Sequence, residues 1–149
     1  RMGDTWYLNP HAPFETLLRQ VELYKQVRAE YGHPPVEVLP MSRETFVART
    51  REEAVATAKP FLEGKYKTYA SWGQDKALPG EEDFTMPFEQ LSAGRFIVGS
   101  PEDVVADLQQ FKDIGVSHAS LRFGWPGTPK EIVADAIRLA AAEVLPTLR

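Results

Sequence analysis

The stretch "GSPEDVVADLQQFKDIGVSHASLRFGWPG", Gly99 to Gly127, decides the fold. Ser100 stands where a helix N-cap belongs, Pro101 takes the first helical position, and Glu102 and Asp103 complement the positive end of the helix dipole. Val104, Val105, Leu108, Phe111 and Ile114 then recur at the three-and-four spacing of one helix face, and Gly115 supplies the stop. "HASLRF", His118 to Phe123, reads as a strand, and Phe96 to Val98, just ahead of the quoted stretch, as a shorter one. A strand, a helix and a strand in that order imply parallel strands joined by a right-handed crossover.

Working outward, the same alternation repeats. "TWYL", Thr5 to Leu8, is a short strand broken by Asn9-Pro10, and Pro13 to Tyr31 carries a helical stripe of Phe14, Leu17, Leu18, Val21, Tyr24 and Val27 ended by Gly32. "VEVLPMS", Val36 to Ser42, is the next strand, with Pro40 marking its end. Thr50 with Glu53 forms a capping-box pair at the head of a second helix, which Pro60 is expected to kink or interrupt. Residues 61–95 mix aromatics with Gly, Pro and acids, and are expected to form helical pieces and a mobile insertion, a lid or pocket wall if not a packing insertion. The last helix runs from Pro129 to about Val144 with Ile132, Val133, Ala136, Ile137 and Ala140 inward, and Pro146 stops it. The whole is an α/β chain of about four β-α units.

Length bounds this reading. An eight-stranded barrel takes about 250 residues, so 149 cannot close one, and the chain is either the C-terminal half of a (β/α)8 barrel or a small open α/β sheet. The formal net charge of -4 gives no basic field for nucleic acid, and no run of about 18 apolar residues exists to span a membrane. With no cysteine, thiolate catalysis, disulfides and Cys-based zinc sites drop out. His11, His33 and His118 have no metal-ligand spacing, so no metal site is expected. A cytoplasmic location is expected, and the opening "RMGDTWYL", which starts on Arg1 and enters a strand at once, reads as a piece of something longer.

"GDTWYLNP", "FIVGSPEDVVADLQQFKDIGVSHASLRFGWPG" and the ending "AAEVLPTLR" together resemble the C-terminal half of the bacterial luciferase-like flavin-dependent monooxygenases, over nearly the whole chain. The resemblance implies a (β/α)8 TIM barrel with an insertion before its seventh strand and helix. "TWYL" would be the fifth strand, "VEVLPMS" the sixth, "FIV" the seventh and "HASLRF" the eighth. It implies reduced FMN, or a deazaflavin in a sister branch, acting with oxygen on a small organic substrate, a flavin reductase as partner, and a homodimer. The flavin-phosphate segment would lie ahead of Arg1, so the cofactor would be held mainly by the N-terminal half and this chain alone would be inactive. A non-catalytic half-barrel that binds a partner or dimerises is the competing class.

In a barrel the chemistry sits at the C-terminal ends of strands, which singles out Tyr7 and Asn9, Met41 to Arg43, Gly99-Ser100, and Arg122 to Trp125. Tyr7 and Trp6 alternate, so one faces a pocket and the other packs. Asn9 serves a polar substrate or merely the turn before Pro10. His11 follows the fifth strand as a candidate acid or base. Arg43 holds an anion, or is a surface charge or an ion pair with Glu44; Ser100 is explained by capping alone. Arg122, near the end of an apolar strand, must meet an acid or an anionic ligand. The resemblance places Trp125 at the substrate pocket, so the expected pocket is Tyr7, Asn9, His11, Arg122 and Trp125.

Overall fold

The computed structural model describes residues 2–78 and 82–148. Helix α1 is Phe14–Glu30, strand β1 Pro40–Val47, α2 Arg51–Ser71, α3 Phe88–Ser92, β2 Ile97–Gly99, α4 Pro101–Asp113, β3 His118–Arg122 and α5 Lys130–Leu139. A π-helical turn, Ala140–Val144, and a 3-10 turn, Leu145–Leu148, finish the chain. None of the described helices is long and apolar enough to cross a membrane.

The passage around α4 forms as its residues dictate. Ser100 accepts from the Asp103 backbone N–H while the Asp103 carboxylate accepts from the Ser100 N–H, a complete capping box, and Gly115 leaves the helix at φ +101°. That positive φ is open to glycine at little cost. At the head of α2 the cap differs in detail: Thr50 accepts from the Glu53 N–H, but Glu53 Oε2 accepts from Arg49 N–H, one residue earlier than a capping box requires.

Four expectations are corrected. Pro40 opens β1 and does not close it, because a proline at the first residue of a strand has no ladder N–H to lose; Val36–Leu39 form no regular element. "TWYL" shrinks to one parallel bridge, Leu8 to Met41, since only Leu8 is fully buried while Tyr7 is 51% exposed. Pro60 does not interrupt α2, which runs on to Ser71. In the last helix Ala136 and Ala140 are buried as expected, whereas Ile137 lies on the solvent side.

All strands are parallel, in the order β2-β1-β3. β1 is long enough to serve both neighbours: Pro40 to Glu44 pair with His118 to Arg122, and Thr45 to Val47 with Ile97 to Gly99. In a closed barrel β3 would follow β2 around the ring; here it pairs with β1 over five residues. Because β2 and β3 lie on opposite edges of β1, right-handed crossovers must put α2 and α4 on opposite faces. Side-chain alternation shows that they are. Leu39, Met41 and Val47 pack with α1 and α4 through Leu17, Val21, Val104, Leu108 and Phe111. Phe46 and Ala48 pack with α2, α3, α5 and Trp125. Every fourth residue of α2, Ala54, Ala58, Leu62 and Tyr66, is buried in this second layer.

Candidate functional site

Glu44 lies in the second layer and is 1% exposed, although its neighbours on that face of β1, Ser42 and Phe46, are uncharged. A carboxylate there requires partners, since desolvating a charge costs several kcal/mol. It has three. The register of β1 and β3 sets Arg122 beside it, and Arg122 Nη1 donates to Oε1 at 2.8 Å. Lys65, reaching from α2, donates to the same oxygen. Trp125 Nε1 donates to Oε2 at 2.5 Å. The Trp-Pro-Gly turn makes this last contact possible. Trp125 N–H donates to Thr128 Oγ1, Thr128 N–H donates back to the Trp125 carbonyl, and Gly127 adopts φ +88°. The indole is thereby swung under the sheet beside Phe46, with ring centroids 6.2 Å apart.

The loop after Leu8 approaches the same region. Asn9 Oδ1 accepts from the His11 N–H at 2.8 Å, an Asx turn. Three successive carbonyls are then gripped by two buried arginines: Arg43 Nη1 takes those of Pro10 and Ala12 at 3.1 and 2.9 Å, and Arg95 Nε takes that of His11 at 2.7 Å. Arg95 also donates to Leu91 O and to the Glu82 carboxylate. The His11 ring points to α2, with Nδ1 3.1 Å from Tyr66 Oη and its edges against Tyr69 and Phe84. Burial, reinforced by Lys65, pushes the imidazole down to about 4, and Arg122 and Arg43 act in the same direction against Glu44. Burial, aided by Glu44, drives the Tyr66 phenol upward. Near neutral pH the pair is therefore an uncharged imidazole and a protonated hydroxyl sharing one hydrogen bond.

The expected pocket residues separate into two groups. Arg122 and Trp125 meet on Glu44, so the alternative of a structural acid for Arg122 is realised, and His11 lies within electrostatic range of both Glu44 and Arg122. Asn9 shapes the His11 loop, while Tyr7 is exposed and joins neither core. Arg43 is corrected: it is neither a surface charge nor a partner of Glu44, but 1% exposed, on the opposite face of β1, 4.8 Å above the Phe111 ring, with burial lowering it to about 10. The strand's extension to Val47 puts residue 43 in mid-sheet. Glu44, Lys65, Tyr66 and Arg95 were missed. The signal for Tyr66 was the four-residue period of α2; for Glu44 it was a charge inside "RETFV", legible only if Pro40 begins the strand.

Among the described residues a cavity of about 530 Å³ lies along α4 between Pro101, Val105 and Thr147, and two larger open ones are likewise not lined by Glu44, Arg122 or Trp125. One, about 630 Å³, lies at the C-terminal end of β1 between Ala48, Arg49, Ile132, Ala136 and Glu143. The other, about 620 Å³, lies between Trp6 and the outer side of α1. We assign the site by convergent buried polar groups, because volume alone marks neither chemistry nor orientation. The cations of the cavity at the end of β1, the N-terminus of α4 and the buried Arg43 offer no seat for a flavin phosphate. Arg49 and Arg138, at that cavity, are paired with Glu143 and Asp135; the N-terminus of α4 is filled by its own Asp103; and Arg43, whose Nε and Nη2 have no partner, is sealed under the 9–13 loop.

The family model described as luciferase-like monooxygenase matches residues 1–118. The fold is shared with the monooxygenase RslO1 of Streptomyces bottropensis (24% identity, TM-score 0.68, covering 99% of this chain and 43% of that one). It is shared with the oxygenating constituent of the Pseudomonas putida 3,6-diketocamphane monooxygenase, a type II Baeyer-Villiger enzyme in complex with FMN (19%, 0.62, 94% and 41%). It is also shared with the coenzyme F420-dependent tetrahydromethanopterin reductase of Methanopyrus kandleri (17%, 0.59, 92% and 43%). Comparison with curated proteins gives no match. The chain thus spans less than half the length of these structures, as part of a barrel does. Parallel β-α units and the match over most of the sequence converge: the chain belongs to the luciferase-like monooxygenase family.

Proposed function

We propose that this chain supplies the substrate-side wall of a flavin-dependent monooxygenase that acts on a small organic substrate with reduced FMN and oxygen. The observation that carries this is the convergence of Arg122, Trp125 and Lys65 on the buried Glu44, within electrostatic range of His11. Glu44 accepts from three donors and so acts as an anchor. It fixes the planes of the Trp125 indole and the Arg122 guanidinium at the C-terminal end of β3, where this class of fold places its chemistry. His11 and Tyr66, uncharged and sharing one hydrogen bond, line the wall beside this cluster. Binding of the cofactor's phosphate is assigned in this reading to the remainder of the barrel, which the longer relatives carry.

The deazaflavin reading has one observation in its favour, the shared fold with a reductase named for coenzyme F420. Titrating the protein, with a preceding half-barrel in place, against FMN and against a deazaflavin separates the two, and oxygen uptake with reduced FMN and candidate substrates tests the reaction. Tight FMN binding with substrate-dependent oxygen uptake is expected; deazaflavin binding alone, without oxygen uptake, refutes the monooxygenase assignment.

A further inference from the structure

Charge around the Glu44 cluster does not balance. Three cations, Lys65, Arg122 and Arg43, act on His11 together with one carboxylate, Glu44, and the remaining buried cation, Arg95, has its own acid in Glu82. Arg43 meets no carboxylate among the described residues; its single bonded nitrogen goes to two carbonyls. Lys65 and Arg122 share one oxygen of Glu44. Of these cations Lys65 is almost fully enclosed, whereas the Arg122 side chain is 43% exposed and uses only Nη1. Its Nε and Nη2 have no protein partner among the described residues, and these two nitrogens form the edge of a guanidinium that takes a carboxylate through two parallel bonds.

We propose that the cluster is a receptor for an organic anion, in which Arg122 holds the substrate's carboxylate by its outer edge while Glu44 holds Arg122 from within. One face of the guanidinium is thereby pre-aligned by a buried partner, so little rotamer freedom remains to be lost on binding. Trp125, tied to the same carboxylate, supplies the adjoining ring. The proposal deepens the reading of this cluster as a substrate wall, yet requires no cofactor. Failure of flavin binding would leave the anion site standing, and failure of anion binding would leave the flavin question open.

The test is titration of the isotopically labelled 149-residue protein with benzoate at constant ionic strength, followed through the Trp125 indole N–H resonance. Capture of Arg122 must perturb this resonance through the shared Glu44. A saturable shift is expected, with Arg122→Gln weakening benzoate by about tenfold or more and Arg122→Lys, which keeps the charge but not the fork, weakening it less. Benzamide, the same ring without charge, should bind at least about tenfold more weakly than benzoate. Inorganic phosphate, charge without an organic body, should also bind more weakly. Circular dichroism checks that the half-exposed position 122 tolerates both changes. The proposal is overturned by a shift that stays linear in benzoate, by benzamide or phosphate binding as tightly, or by unchanged affinity in a folded Arg122→Gln variant.

Discussion

Glu44→Gln keeps the shape of the side chain and removes its charge, and the consequence can be worked from its three partners. Trp125 Nε1 loses a charged acceptor at 2.5 Å, and hydrogen bonds to charged groups contribute about 1.5–3 kcal/mol. Arg122, 43% exposed, is largely rehydrated, so its share falls within about 0–1 kcal/mol. Lys65 is the larger loss: its side chain is 9% exposed, and an amide carbonyl does not compensate a buried ammonium. Breaking a buried pair by removing one partner typically costs about 3–5 kcal/mol. With partial retention of hydrogen bonds by the amide, a destabilisation of about 3–5 kcal/mol is expected, or about 6–20 °C in Tm for a chain of this size. Urea unfolding followed by circular dichroism measures it. Adding Lys65→Met should restore part of the stability, because no cation is then left enclosed. A Glu44→Gln variant within 0.5 kcal/mol of the parent, a threshold set by ordinary surface substitutions, would show that the three donors do not converge on this carboxylate.

Two groups give opposite pH dependences. His11 is held at about 4, below its ordinary 6.5, by burial and then Lys65, so its contribution is complete above pH 6.5 and is lost as pH falls through 4. Replacing it with Phe should flatten the acid limb of the stability curve, and an unchanged limb would refute the burial. Asp107 on α4 is raised to about 6 by burial, with Asp103 adding and Arg51 opposing. Its contribution is complete below about pH 3.8 and is lost as pH rises through 6, so Asp107→Asn should be more stable than the parent at pH 7 and equal to it at pH 3.5. Pro60 lies in mid-helix without an N–H to donate; Pro60→Ala should stabilise by about 1–2 kcal/mol, less than the full cost of a helical proline because the unfolded chain regains freedom. A lower Tm for that variant would mean that α2 is not continuous at residue 60.

How much of this was legible in the sequence depended on how local the determinants were. The cap, the stripe and the glycine stop of α4 are all set between Ser100 and Gly115, and each is found where its residue type belongs. β1 was misplaced because a single proline was read as a terminator when it is an initiator, and with that error Glu44 and Arg43 were assigned to a loop. Strand order was not legible either: nothing local distinguishes a third strand that pairs with β2 from one that pairs with β1. For Arg122 the sequence required a partner and left its identity open, and the β1-β3 register supplied Glu44. The partners of His11 lie 55 and more residues away on α2, beyond any motif.

The central claim is that this chain forms the wall that meets substrate, and the kinetics of Arg122→Gln test it most directly. In the active protein, with reduced FMN supplied and an anionic substrate varied, the account predicts a KM raised by about tenfold or more with the flavin Kd unchanged. A weakened flavin Kd with an unaltered KM would place Arg122 at the cofactor and contradict the account.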